Sequence, residues 1–576
     1  MGLTGRITTI LGLVIAVGLA PLGRAKADDG LAGAYLAARH ASALNDVGAA
    51  ADFFADALKR DQDNAQLMEQ AVLNLLAAGR VAEALPVSQR LAKAEPAHRL
   101  ANLVMAVEDM RSGDFAKVRA RITGTPDGFH PLIGALLEAW AAYGAGDRAA
   151  AEAALATLED RNVFRLFGRY HAGLIRALDG DPEGAVERFA KAASELSSPN
   201  NRLALAHGAA LEASGKPEEA RKVFREAIAT TLTDPQLEAE LRRMDAGEPS
   251  TLAVTTPAQG AAEALFGLAG VLTNEAGRRF ALAYARLATY LDPGLTNASL
   301  LIAGLLEDEG QYDLALSAYE AIPATSVLYQ RAQIGRAGAL QNLKRNDAAA
   351  EVLRAVVAAD PKAVSAHVAL GDLLRGDEKF GDAAAAYTPA VDLLAKAERP
   401  SWALFYQRGI AYERSGQWDA AEADFNKALA IEPDQPLVLN YLGYSWIEMG
   451  RNMEEARKMI ARAVEQRPED GYITDSLGWV YYRTGDYANA VEWLEKAVAL
   501  APVDAVINDH LGDALWMVGR KLEAEFQWRR ARSFGPEPDE LARIKRKLEI
   551  GLDAVLAEES AGAAASAAAE ASRNGG

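Results

Sequence analysis

The residues of this 576-residue chain that could do chemistry do not converge on any one spacing. Seven histidines, His40, His98, His130, His171, His207, His367 and His510, are dispersed, and none stands in the His-Glu-x-x-His arrangement that puts two zinc ligands on one helix face. Asp61-Gln62-Asp63-Asn64 resembles the start of a calcium loop but lacks its glycine and closing glutamate, so it reads as a polar turn. Gly144 to Ala149 formally matches a dinucleotide fingerprint, yet it follows the helical stretch EAWAAY rather than a strand. Gly215-Lys216 is followed by Pro217 where a phosphate loop needs Ser or Thr. The chain has no cysteine, which removes thiolate chemistry, disulfides and a lipid-carrying N-terminal cysteine. Its 79 acidic against 61 basic residues, net −18, lack the electrostatic footprint of a nucleic-acid binder. No catalytic set, cofactor, metal or small-molecule substrate is expected.

What does recur is a period. Gly409, Gly443, Gly478 and Gly512 follow one another at 34, 35 and 34 residues, and Ala421, Ala456, Ala490 and Ala524 at 35, 34 and 34. Pro433, Pro468, Pro502 and Pro536 keep the same step. Between these markers the chain reads helix, turn, helix, turn. Glycine inside a helix costs about 1 kcal/mol relative to alanine, so a periodic helical glycine implies a close crossing with its neighbour. Gly478 on a first helix, with Ala490 and Ala497 on the second, supplies small residues for such a crossing. Upstream the same position holds Gly371, Ala337, Ala303 and Ala269, then Gly208, Gly173, Ala139, Ala106, Val72 and Ala38. This gives fourteen candidate repeats, degenerate toward the N-terminus.

The glycine-centred first helix, the alanine and bulky residue of the second and the closing proline resemble the tetratricopeptide repeat. That resemblance implies a right-handed all-α solenoid whose first helices line an inner groove through their second, fifth, ninth and twelfth positions. Here those positions place Tyr406, Asn440, Tyr444, Tyr472, Asp475, Trp479, Tyr482, Asp509, Asp513 and Trp516 on one face. Tyr and Trp join apolar area to a polar handle, which suits a groove for an extended or partly unfolded polypeptide; alternatively the rings pack between neighbouring first helices. The aspartates would need buried partners to belong to a core, so an acidic groove preferring neutral to basic segments is the expectation.

The chain divides, on this reading, into an export signal at 1–27, a degenerate solenoid at 28–235, an insertion or linker at 236–261 and a second solenoid at 262–536, strongest over 402–536. A capping helix at 537–558 and an Ala-rich disordered tail at 559–576 follow. The signal rests on Arg6, the apolar run Ile10 to Ala20 and the small-x-small site Ala25-Lys26-Ala27. The run is short of the roughly 20 residues a membrane span needs. Cleavage would leave a periplasmic protein, with peripheral association with the outer membrane as a further option. Residues 402–536 resemble the C-terminal repeats of exported proteobacterial tetratricopeptide proteins, some of which are outer-membrane adaptors of C-terminal processing proteases. The resemblance implies a non-enzymatic adaptor delivering cell-wall hydrolases to such a protease. A component of envelope assembly or polysaccharide export is the alternative.

Overall fold

The computed structural model describes residues 30–161, 164–231, 234–252, 254–274 and 277–561. The export signal expected at 1–27 and residues 562–576 lie outside the described residues. The described residues form an all-α solenoid of paired helices without a strand, and none of their helices is long and apolar enough to cross a membrane.

The turns explain why the pairs form. Gly146 takes φ +81°, a left-handed conformation glycine enters without strain, and Asp147 then accepts the Ala150 backbone N–H at 3.1 Å, capping Arg148–Glu159. The apparent dinucleotide fingerprint is thus a helix stop followed by a helix start. Within the pairs the periodic glycine does make room for its neighbour. A Cβ on Gly478 would lie 2.6 Å from Leu494 Cγ, one on Gly409 2.6 Å from Phe425 Cε1, and one on Gly173 2.5 Å from Phe189 Cε1. The bulky second-helix residue therefore fills the space opened by the absent side chain.

The chain separates into two compact units that meet between Arg345 and Asn346. The stretch 236–261, expected as the divide, lies inside the first unit. There, six helix pairs from Leu31–Ala43 to Pro217–Thr231 stack in order, followed by Pro235–Asp245. The chain then turns back. Pro257–Val271 packs on Pro131–Gly144, and Arg278–Leu291 packs on Ala65–Ala77. The returning pair shares one apolar core with the array, in which Trp140, Leu136, Leu265 and Leu287 are buried. Gly260 lies against the Trp140 ring with no room for a side chain. Glu263, buried, pairs with Arg202 and accepts the Tyr170 hydroxyl at 2.9 Å. Burial alone would raise the Glu263 carboxyl, but the Arg202 guanidinium and the Tyr170 hydroxyl hold it below its ordinary value. Farther along, Tyr290 donates to Glu108 at 2.8 Å beneath the Arg111 guanidinium.

The second unit runs from Asn346–Ala359 to the last described residue. Its pairs are Val364–Gly376 with Phe380–Lys396, Trp402–Arg414 with Trp418–Ile431, Pro436–Glu448 with Met453–Gln466, Gly471–Arg483 with Tyr487–Leu500, and Ala505–Met517 with Lys521–Ser533. The capping helix expected over 537–558 is two helices. Pro538–Ile550 stops at Gly551, φ +81°, and a further helix spans 552–561. Helix therefore continues through 559–561, the start of the stretch expected to be disordered.

Candidate functional site

In the second unit the first helices of successive pairs touch one another, Pro436–Glu448 with Gly471–Arg483 and the latter with Ala505–Met517. Their shared face holds two neighbouring recesses. The larger, about 470 Å³, is walled by Trp418, Asn440, Tyr441, Tyr444 and Tyr472, with Glu413, Glu448, Asp475 and Asp504 among its acids. The smaller, about 300 Å³, takes in Trp479, Asp509, His510 and Arg543; Glu448 and Val506 border both.

Four of the ten residues singled out from the sequence, Asn440, Tyr444, Tyr472 and Asp475, line the larger recess, and Trp479 and Asp509 line the smaller. Tyr472 is 63% exposed at the rim. Tyr444 is half-buried, and burial followed by the nearby Glu448 charge pushes its hydroxyl well above the ordinary tyrosine range. The Oδ1 of Asn440 and the Nε1 of Trp418 are buried atoms without a hydrogen-bond partner.

The remaining residues, and Trp479 at the smaller recess, are engaged within the protein. Tyr406 lies edge-on to Tyr441 at 5.8 Å and packs on Phe425. Trp479, 8% exposed, stacks on Tyr482 at 4.6 Å and on His510 at 3.9 Å, and donates to Glu448 at 2.7 Å. Trp516 donates to Asp553 at 3.0 Å beneath the Lys521 ammonium.

The aspartates do not present the row of free carboxylates the sequence suggested, because each has a basic partner. Asp475 pairs with His510 at 3.0 Å. Burial opposes a charge on that imidazole, yet Asp475 and the two aspartates beyond it raise its pKa above the ordinary histidine value. Asp513, fully buried, receives Lys547 at 2.6 Å, Arg543 at 3.1 Å and Trp528 Nε1 at 2.9 Å. Asp509 receives Lys547 at 2.7 Å, while burial and the adjacent Asp513 push its carboxyl upward. Substituting Asp475 or Asp513 would therefore disturb the fold before it disturbed a bound peptide.

Sequence reasoning missed these partners, although a signal was present. Arg543 and Lys547 stand one 34-residue step beyond Asp509 and Asp513, so continuing the period past Pro536 aligns base with acid. It also missed Glu413, which holds the twelfth position of its helix, one of the four groove positions, and Trp418, Tyr441 and Glu448, which fall outside them. Among the described residues no group of three or more His, Asp or Glu could hold a metal ion.

Comparison with known proteins agrees on the repeat. Tetratricopeptide-repeat family profiles match residues 300–364, 334–398 and 447–505, and a second such profile matches 402–435, together about a third of the chain. A TPR repeat-containing protein of Pseudomonas aeruginosa, PA4667, is 36% identical over 110 residues, which cover 19% of this chain and 18% of that protein's own length. Among solved structures, a tetratricopeptide repeat protein from Parabacteroides merdae covers 45% of this chain and 98% of its own, at 18% identity and TM-score 0.37. The Cut9–Hcn1 assembly of the APC/C covers 90% and 96%, at 13% identity and TM-score 0.35. The chain thus carries tetratricopeptide repeats across 300–398, 402–435 and 447–505, a scaffold suited to protein–protein contact.

Proposed function

We propose that this protein is a non-enzymatic scaffold of the bacterial cell envelope that holds protein partners on the inner face of its C-terminal repeats. The observation that carries the reading is the pair of adjoining recesses on the first helices, rimmed by exposed Tyr472 and backed by polar atoms left without partners. One exposed ring flanked by half-buried aromatic side chains, beside unmet hydrogen-bonding groups, forms a surface that favours a polypeptide over water.

The finer reading is an adaptor that brings cell-wall hydrolases to a C-terminal processing protease. It is supported by the likeness of residues 402–536 to the C-terminal repeats of exported proteobacterial tetratricopeptide proteins; the relative in Pseudomonas aeruginosa supports the repeat alone. Export is supported by Arg6, the Ile10 to Ala20 run and Ala25-Lys26-Ala27.

The test is a crosslinked pull-down from native envelopes, comparing wild type with a Tyr444→Ala, Tyr472→Ala double variant. These two rings are preferred over Trp479 and Trp516, whose indoles are tied to Glu448 and Asp553. Loss of a protease or hydrolase from the variant alone supports the adaptor. Loss of an outer-membrane channel or polysaccharide machinery supports the assembly role instead, and an unchanged partner list sinks the C-terminal face as the binding surface.

A further inference from the structure

The larger recess carries more information about its occupant than that it binds protein. Resting on the scaffold reading above, the charge on its wall is uneven. Glu413 accepts only the Tyr441 hydroxyl, at 3.0 Å, and Asp504 accepts the Ile507 backbone N–H at 2.9 Å, with the Tyr472 hydroxyl beside it. Neither has a cation within ion-pair distance among the described residues, whereas Glu448 has Arg483 at 3.2 Å and Asp475 has His510. The one guanidinium on the wall, Arg414, sits over the Phe380 ring at 4.7 Å. Two carboxylates therefore face the recess with neutral donors alone, next to the rings of Tyr441, Tyr444 and Tyr472. A cationic side chain gains from both, through ion pairing and through the negative faces of the rings.

Two further groups define the rest of the occupant. Asn440 Oδ1 lacks a donor and Trp418 Nε1 lacks an acceptor, both on buried atoms of the same wall. An amide backbone supplies one N–H and one C=O per residue, and a free metal ion or simple amine does not. Apolar surface at the rim, Tyr472 63%, Met449 38% and Val506 37% exposed, suits the flanking side chains of a chain rather than a small polar solute.

We propose that this recess is a docking pocket for a polypeptide segment bearing a lysine or arginine, its cation drawn to the tyrosine rings and to one of the Glu413 and Asp504 carboxylates, its backbone meeting Asn440 and Trp418. A segment presenting Asp or Glu at that position meets like charge and is rejected.

The experiment uses the full chain and a phage-displayed library of random dodecapeptides, followed by fluorescence anisotropy on selected peptides. Selected sequences should share Arg or Lys at one position, and replacing it with citrulline should weaken binding at least tenfold. A Glu413→Gln, Asp504→Asn variant should bind the arginine and citrulline peptides within about threefold of each other. Asparagine keeps the cap on Ala505–Met517, and a matching thermal melt confirms that the variant is folded. Tyr472→Ala, at an exposed rim position, should weaken all selected peptides. Binding that depends on Tyr472 but shows no preference for a basic residue overturns this proposal and leaves the scaffold reading standing. Absence of any Tyr472-dependent peptide binding overturns both.

Discussion

Trp140, Tyr170 and Arg202 in the first unit occupy the repeat positions that Trp479, Asp475 and Tyr472 hold in the second, counted from Ala139, Gly173 and Gly208 against Gly478. The first set is covered by the chain's own helix, through Gly260 and Glu263. The second set borders open recesses, and Tyr472 stands in solvent. Equivalent positions on equivalent helices thus lie under a covering helix in one array and beside open recesses in the other. The difference lies in what the chain lays across them, so repeat position alone does not assign function.

The largest effects should come from removing one member of each buried ion pair. Glu263→Ala leaves Arg202 without its carboxylate and should cost about 3–5 kcal/mol, and Lys547→Met, which leaves Asp509 and Asp513 with Arg543 at 3.9 and 3.1 Å, should cost about 2–4 kcal/mol. Hydrogen exchange should localise the damage to 257–291 in the first variant and to 505–561 in the second. If Glu263→Ala leaves 257–291 fully protected, the returning helix is not held by that pair and the contrast weakens. Next in size, Gly478→Leu must displace Leu494 and should cost about 1–3 kcal/mol, read as a lower melting temperature; an unchanged melt would sink the crossing argument.

A subtler contrast lies in two buried histidines. His171 accepts Trp140 Nε1 at 3.1 Å, and burial pushes its pKa down to about 4. Its folded value lies below the ordinary 6.5, so its contribution is present above pH 6.5 and is lost as pH falls toward 4. His510, raised by Asp475, contributes below pH 6.5 and loses that contribution as pH rises through its folded value. Acidification should therefore loosen the first unit, and alkalinisation the second, in exchange measured across pH 4 to 9. Replacing His171 by Gln and His510 by Gln should flatten the respective trends. Smallest of all in stability, Tyr472→Ala should shift unfolding by less than about 0.5 kcal/mol, since the ring is mostly in solvent; a large loss of stability would mean that the rim is structural.

Much of the fold was legible because it is written in short-range terms. Gly478 facing Leu494 and Gly146 ahead of Asp147 are local signals that a 34-residue period repeats. The return of 257–291 onto the first array was not legible. Ala269 and the residues around it keep the period, so the pattern reads as one more repeat, and nothing local distinguishes a helix stacked at the end from one laid along the inner face. The site was legible by half for a related reason. Helical spacing placed Asn440, Tyr444, Tyr472 and Asp475 together, but whether an acid is free depends on a neighbour one repeat away. Arg543 and Lys547 lie beyond the last clear proline marker, in a segment read only for its amphipathic pattern.

The returning helix pair also sets a schedule for synthesis. Trp140 leaves the ribosome roughly 120 residues before Gly260, which at about 5–20 residues per second is an interval on the order of ten seconds. For that time the nascent array has its pairs but not the helix that covers its inner apolar face, and a chain ending between 236 and 256 would keep that face uncovered permanently. The inner face of the first unit is therefore covered only when residue 291 has emerged, and until then its exposed surface is what a holding chaperone would recognise.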